Sequence, residues 1–491
     1  MSRSPSTGRS IRRDAAFGAA LMACLLITGS LTTVGCSTQS EVAAPRERPN
    51  LLLIITDDQR WDAVGYENPT LETPNLDALA ERSLRFDNAF VTTTICPASR
   101  ASILTGTLER EHRHTFKTEP IDEYLVERSY PALLGNAGYE TGFVGKLGVK
   151  FDRKATELFD AYRSLWRRPY FQPDPDGGLA HVTELTARYA VEFIEERDRG
   201  RPFALTVSFN APHADDPEAA QYFWPDAVGD LYRDTHFPPP PASDPAFFEN
   251  QPDFLRHSMN RERWNWRFDT PEKYQSMLAG YYRMVSGVDQ GIGEILAALE
   301  RSGDQANTVV LFTSDNGYFI GERGFAGKWL GYDVALRVPL LIHDPRLPLK
   351  QQGSRSDVLA LNIDLAPTLL DLADIEIPRT VTGASLAGHF DSQHEAWRTS
   401  FFFEHLFDEP TIPKHEGVRT ERHKYIRYIE TEPLHEELYD LQSDPDELRN
   451  LAIEPEHAPT LAALRSQCNE FAERYEARRL HLLSRSSEDA L

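Results

Sequence analysis

Two apolar runs that end in acidic corners constrain this chain more than any other feature. Pro49 to Thr56 (PNLLLIIT) stops at Asp57-Asp58, and Thr308 to Thr313 (TVVLFT) leads through Ser314 to Asp315-Asn316-Gly317. Continuous rather than alternating apolar runs mark strands buried on both faces, the pattern of a parallel sheet covered by helices. Phe203 to Phe209 and Pro339 to His343 read in the same way. Between these runs, Thr183 to Arg197 places Leu185, Tyr189, Phe193 and Ile194 on one helical face, and Tyr274 to Leu299 repeats apolar residues at threes and fours. The expected fold is therefore α/β, a large mostly parallel (mixed) sheet flanked by helices. In such a sheet the ligand site lies at the carboxyl ends of the strands, where both acidic corners fall.

The segment 215–269 breaks the alternation. With Pro238 to Pro241 and the tryptophans Trp264 and Trp266, it reads as a long excursion that either packs on the surface or lids the site. Past about Gly388, Arg422 to Tyr428 and Glu437 to Leu441 are short alternating stretches, and Leu461, Leu464, Cys468, Phe471 and Tyr475 recur at helical spacing. This divides the chain into a main domain over 48–387, a smaller C-terminal α+β subdomain over 388–481 and a tail over 482–491. At the other end Arg3, Arg9, Arg12 and Arg13 precede the apolar run Ala15 to Thr28, and Thr33-Val34-Gly35-Cys36 resembles a bacterial lipobox. Residues 1–36 thus read as a signal peptide of lipoprotein type and 37–47 as a linker. The expectation is an exported protein, periplasmic or cell-envelope or secreted, with membrane attachment through a lipidated Cys36. Cys96 and Cys468 are the thiols left to the folded part. An exported protein can join two such thiols, whereas the helical spacing makes Cys468 a core residue.

Charge then narrows the chemistry. Asp and Glu number 75 against 52 Lys and Arg, a net charge of −23, which repels polyphosphate and excludes a general nucleic-acid binder. Any anionic substrate needs a local pocket of metal and basic residues. Asp57, Asp58, Asp315 and Asn316 offer hard oxygen donors without thiolate or imidazole, which selects Ca²⁺ or Mg²⁺ over zinc. Taken singly, each pair is equally an ordinary turn or helix cap. In Thr94 to Gly106 a cysteine precedes Arg100 by four residues at the opening of a helix. A helix N-terminus together with Arg100 would stabilise an anion or a nucleophile; a buried helix-start cysteine is the other reading.

Cys96-Pro97-Ala98-Ser99-Arg100 followed by Thr105-Gly106 resembles the signature of the type I, formylglycine-dependent sulfatase family within the alkaline-phosphatase-like superfamily. The resemblance runs from about Arg48 to Ala452 and keeps the order NLLLIITDDQ, CPASRASILTG, GFVGK, APH, TSDNG, GERGFAGKW, RVPLLIHDPR, DLAPTLLDLA and ELYDLQSDPDELRNLA. It implies that a maturation enzyme oxidises Cys96 to formylglycine, whose hydrate attacks the sulfur of a sulfate ester. It implies one divalent cation, Ca²⁺ in preference to Mg²⁺, on Asp57, Asp58, Asp315, Asn316 and the matured Cys96. Arg100 would position the hydrate, Lys146 and Lys328 would contact the sulfate, and His213 would act as general acid for the leaving alcohol. The resemblance makes Arg337 a structural ion-pair residue and gives Tyr439-Asp440 the closing of the C-terminal subdomain.

Two positions depart from the family pattern. Ala98 stands where the maturation motif usually has proline, and Gly148 stands where many relatives have a histidine two positions after the first lysine. His112 and His114 are expected as substrate-side or surface residues, and Arg323, His405, Lys414 and His415 as specificity residues. A sulfated saccharide suits an exported enzyme with Trp264 and Trp266 in its excursion, since indoles stack on sugar rings; equally, these tryptophans are core of the lid. Two alternatives stay open, a formylglycine-dependent phosphonate or phosphate ester hydrolase and an unmatured, non-catalytic glycan-binding relative.

Overall fold

In a computed structural model, residues 48–348, 351–390 and 397–489 are described. The expected signal peptide, linker and Cys36 lie outside them. An eight-stranded sheet runs in the order Arg355–Leu361, Leu84–Phe90, Leu340–His343, Thr308–Ser314, Asn50–Thr56, Phe203–Ser208, Glu140–Gly145, Ala161–Ser164. Both acidic corners come from its centre. Asn50–Thr56 pairs in parallel with Thr308–Ser314 on one side and Phe203–Ser208 on the other, so Thr56 sits opposite Ser314 and the two corners leave the sheet side by side.

Side chains along these strands alternate between two cores. Leu51, Leu53, Ile55, Val309 and Leu311 join one, with Ala101, Ile103, Leu134 and Leu369 from helices on that face. Leu52, Ile54, Val310 and Phe312 join the other, beneath Leu185 and Ile194 of the helix Val182–Glu196 and Val288 and Ile295 of the helix Pro271–Ser302. Helices on both faces explain why the strands are apolar throughout. The run Pro339 to His343 is a correction: Leu340–His343 is antiparallel to both neighbours. A continuous apolar run reports burial on two faces and carries no information on direction.

After the main sheet, Ser400–His405, His415–Thr420, His423–Tyr428 and His435–Asp440 form a four-stranded antiparallel sheet. The helix Ala458–Asp489 lays Leu461, Leu464 and Cys468 onto Phe402, Val418 and Leu438, with Phe471 and Tyr475 packed beside them. That helix continues through 481, the expected end of the subdomain, and Leu482 is buried in the main core. Cys96 and Cys468 are both free and buried, which removes the disulfide alternative. No helix among the described residues is long and apolar enough to cross a membrane.

The excursion carries the helices Pro245–Glu249, Asp253–Arg256 and Met259–Arg267. Its last helix braces the loop that carries Lys328. Asn260 Nδ2 donates to the Ala326 and Lys328 carbonyls, and the Arg263 guanidinium lies 4.1 Å from the Trp329 ring centroid.

Candidate active site

Side chains from six segments converge at the carboxyl edge of the sheet. The two corners are tied by backbone bonds: Asp315 N–H donates to Thr56 O at 3.0 Å, and Asp57 N–H to Ala211 O at 3.2 Å. Asp58 N–H donates to Asp315 Oδ1 at 3.2 Å, with Asp58 held at φ +67°, a left-handed conformation that Asp tolerates better than most residues. Cys96 opens the helix Cys96–Thr105, whose second residue is Pro97 and whose end is capped by Gly106 at φ +70°. This aims the thiol at the corner, with Sγ 3.4 Å from Asp57 Oδ1.

One helical turn on, Arg100 locks the edge together. Its Nε donates to Asp315 Oδ2 at 2.8 Å, one terminal nitrogen donates to the Lys146 carbonyl at 2.7 Å and to Ser208 Oγ, and the other lies 3.4 Å from Asp57 Oδ2. Lys146 follows the strand Glu140–Gly145 and directs Nζ onto Asp57 Oδ2. Lys328 directs Nζ onto both Asp58 Oδ1 and Cys96 Sγ. His213 Nε2 lies 3.5 Å from Asp58 Oδ2, while Nδ1 contacts the Ala214 carbonyl at 2.6 Å. All of these side chains are buried.

Burial and charge set the acidities. Burial alone would raise the Asp57 carboxyl, but Lys146, Lys328 and Arg100 together hold it well below the ordinary carboxylate range. Asp315 is raised, by burial and by neighbouring Asp57, against Arg100. Burial, then the charges of Arg167, Lys328 and Lys146, keep the His213 imidazole well below its usual value and hence neutral. The Cys96 thiol sits as the second of the two sequence-based readings has it, buried at a helix start. Burial and then the Asp57 carboxylate push it up to about 12, against the opposing charges of Lys146 and Lys328.

The donor set fits a metal ion, and it brings the Cys96 sulfur and the His213 imidazole beside the oxygen donors that the sequence singled out. Asp57, Asp58, Cys96 and His213 offer ligand atoms within 4.8 Å of one another, and Asp58 Oδ2 and Asn316 Oδ1 are buried without a hydrogen-bond partner. Asn316 Nδ2 donates to Asp58 Oδ1 at 2.7 Å, which leaves its oxygen free to ligate.

Gly148 has a steric explanation. At φ +74°, a Cβ there would come within 2.7 Å of Arg100 Cδ, so the histidine of many relatives has no room beside this arginine. Gly148→Ala is expected to displace Arg100 and to lower kcat about 10- to 100-fold, since an ångström of misplacement is enough for that loss. A kcat within twofold of the parent at unchanged thermal stability would refute this.

Several sequence expectations resolve elsewhere. His112 and His114 are buried in the scaffold, not on the surface: His112 Nε2 pairs with Ser102 Oγ at 3.1 Å, and His114 Nε2 accepts from Lys150 N–H at 3.2 Å. Arg323 lies over the Tyr332 ring, His405 and His415 stack 5.7 Å apart in the C-terminal sheet, and Lys414 bridges Asp408 and Glu430. Trp264 lines a cavity of about 730 Å³ whose walls include none of the residues around Cys96, and Trp266 bonds Glu262. Arg337 donates to the Asp87 carbonyl and lies over Trp61, a structural place without an ion pair. The reading missed Ser208, which both receives from Arg100 and donates to the Lys146 carbonyl, and the pair Trp166-Arg167, which no periodic pattern singles out.

The model of the family described as Sulfatase matches residues 49–375. The chain belongs to the sulfatase family. This sulfatase is accordingly a hydrolase of sulfuric esters, on an alkaline-phosphatase-like fold. A second model, N-sulphoglucosamine sulphohydrolase, C-terminal, matches residues 321–474. The N-acetylglucosamine-6-O-sulfatase of Bacteroides thetaiotaomicron is 26% identical, covering 92% of this chain and 90% of its own. A solved structure of a protein with its substrate D-glucosamine-2-N,6-O-disulfate superposes with a TM-score of 0.77 at 26% identity, over 88% of this chain and 99% of that one. The phosphonate monoester hydrolase from Silicibacter pomeroyi shares the fold, with a TM-score of 0.73 at 24% identity over 87% of this chain and 96% of that one.

Proposed function

We propose that this sulfatase removes sulfate from a sulfated saccharide outside the cytoplasm, using Cys96 matured to formylglycine and one divalent cation, Ca²⁺. The observation that carries the reading is the placement of Cys96: a buried, unpaired thiol of raised pKa, wedged between Asp57 and Lys328 at a helix start. As a thiol it is unreactive there, whereas the hydrated aldehyde supplies one hydroxyl to attack sulfur and a second to expel sulfate. The saccharide is supported by two of the named relatives, an N-acetylglucosamine-6-O-sulfatase and a protein solved with its substrate D-glucosamine-2-N,6-O-disulfate. Export, a lipidated Cys36 and a formylglycine-generating partner extend the proposal from the sequence.

Within it, Asp57, Asp58, Asp315 and Asn316 hold the cation, which when bound supplies Lewis-acid stabilisation of sulfate oxygens. Lys146 and Lys328 neutralise sulfate charge from two sides, and Arg100 keeps the strand ends and helix start in register. His213, neutral without substrate, takes up a proton from solvent once a sulfate offsets the charges of Arg167, Lys328 and Lys146, and then gives that proton to the leaving alkoxide, which returns the imidazole to its neutral form.

The test compares 4-nitrophenyl sulfate with 4-nitrophenyl phosphate and a phenylphosphonate ester, after mass spectrometry of the Cys96 peptide from chain co-expressed with a maturation enzyme. Aldehyde or hydrate mass with preferential sulfate release is expected. Faster phosphonate turnover would replace the reading with the phosphonate hydrolase, and an unmodified thiol with no turnover would replace it with the glycan-binding relative.

Metal linkage supplies a second check. Ca²⁺ at about 100 times its Kd should stabilise the fold by about 2.7 kcal/mol, read as a rise in Tm that EDTA reverses. The rise should vanish in Asp58→Ala. An unchanged rise in that variant would move the cation elsewhere.

A further inference from the structure

Arg167 is a charged group near the site that the chemistry above leaves idle. It is 7% exposed, yet among the described residues its guanidinium makes no hydrogen bond or ion pair, and its buried Nε has no partner. Neighbouring Arg168, by contrast, is bound to Asp215. A buried guanidinium without a counter-ion is costly to keep, above all in a chain with a large excess of carboxylates. Its charge is felt at the reaction centre. Among the surrounding charges Arg167 contributes most to depressing His213, and it feels Asp57, Cys96 and Asp216.

Asp216 does not quench it. That carboxylate already binds Arg263 and Arg267 at once, so this flank retains positive charge even before Arg167 is counted. Beside it stands Trp166, a large apolar side chain left 47% exposed, with its ring 5.3 Å from the Arg167 guanidinium and 5.9 Å from Lys146 Nζ. The indole thus lies between the lysine that serves the scissile sulfate and an arginine that serves nothing yet.

Charge balance says what is missing. Asp57, Asp58 and Asp315 are matched by Arg100, Lys146 and Lys328. A divalent cation then brings the two positive charges that a sulfate monoester and its developing leaving-group anion require. Arg167 and the surplus of the Arg263–Arg267 pair exceed the demand of one sulfate.

We propose that Trp166 and Arg167 form a second subsite, in which the indole takes a sugar face and the guanidinium grips a second anionic substituent, a sulfate, sulfamate or carboxylate, on the same saccharide. The inference rests on the sulfatase reading and deepens it to doubly anionic sugars. A planar guanidinium presents paired donors to such an oxyanion, and indole faces suit pyranose rings.

Calorimetric titration of the full-length Cys96→Ala chain with Ca²⁺ tests it, comparing D-glucosamine 6-O-sulfate with D-glucosamine 2-N,6-O-disulfate. The disulfate should bind about 10- to 100-fold tighter, the range for charge-assisted hydrogen bonds. Arg167→Gln should remove most of that preference, and Arg167→Lys should keep a part. Arg167→Gln should also melt at or above the parent temperature, because it deletes an unpaired buried charge. Equal affinities for the two sugars, equal losses for both in Arg167→Gln, or a lowered Tm in that variant would each overturn the subsite. Binding is read on a chain without the nucleophile, whereas sulfate release from 4-nitrophenyl sulfate by the Cys96 chain reports the sulfatase reading; the two can therefore fail separately.

Discussion

Cys96→Ala is expected to leave a folded protein that releases no sulfate. The mutation deletes one sulfur atom from a helix start otherwise secured by Pro97, by the Gly106 cap and by the buried neighbours Ile95 and Ala98. The lost contacts are those to Asp57 and Lys328, whose charged groups still pair with each other and with Lys146, Arg100 and Asp58. A structural cost of about 1 kcal/mol follows, a shift of roughly 2 °C in Tm. The catalytic cost is of another order, because no other nucleophile stands at this point; removal of a nucleophile in comparable hydrolases costs on the order of 10⁶-fold in kcat. Circular dichroism, Tm and 4-nitrophenyl sulfate turnover check both halves. A variant that retains more than about one percent of parent activity would sink the assignment of Cys96.

Lys328→Ala should fail differently. Its ammonium bridges Asp58 and Cys96 and lies 3.8 Å from Asp57, and it is buried on a loop whose backbone Asn260 holds in place. Loss of a preorganised cation facing transition-state charge costs about 10²- to 10³-fold in kcat. The same change strands Asp58, and removing one partner of a buried pair costs about 3–5 kcal/mol. Stability without metal should therefore fall, while Ca²⁺ should restore more of it than in the parent, since three carboxylates now face only Arg100 and Lys146. Melting curves with Ca²⁺ and with EDTA measure the difference. A smaller Ca²⁺ response than the parent's would show that Lys328 supports the cation site instead of competing with it.

Much of the site was legible because it lies at strand ends and at one helix start. The run Asn50–Thr56 and its partner Thr308–Ser314 declared themselves by continuous apolarity, and the acidic residues that follow each were adjacent once the strands were parallel neighbours. Cys96, Arg100, Lys146, His213 and Lys328 were found through ordered motifs, and each now touches the same carboxylate cluster or its backbone. The specificity residues were not legible in the same way. Arg323, His405, Lys414 and His415 were chosen by place in the chain, and each is engaged with rings or acids of its own. Trp166 and Arg167 follow the half-exposed edge strand Ala161–Ser164, whose weak pattern gives no sign of what lies beyond it.

The amino-acid sequence by itself determined the layered α/β architecture, the placement of oxygen donors at its carboxyl edge and the helix that begins at Cys96, because apolar period and motif spacing are local properties. The antiparallel direction of Leu340–His343, the raised pKa of the thiol, the need for glycine at 148 and the unpartnered charge of Arg167 were decided only in the tertiary structure. Each of these depends on groups far apart in the chain, through a neighbouring strand, a sum of charges in a desolvated pocket, or the volume already taken by another side chain.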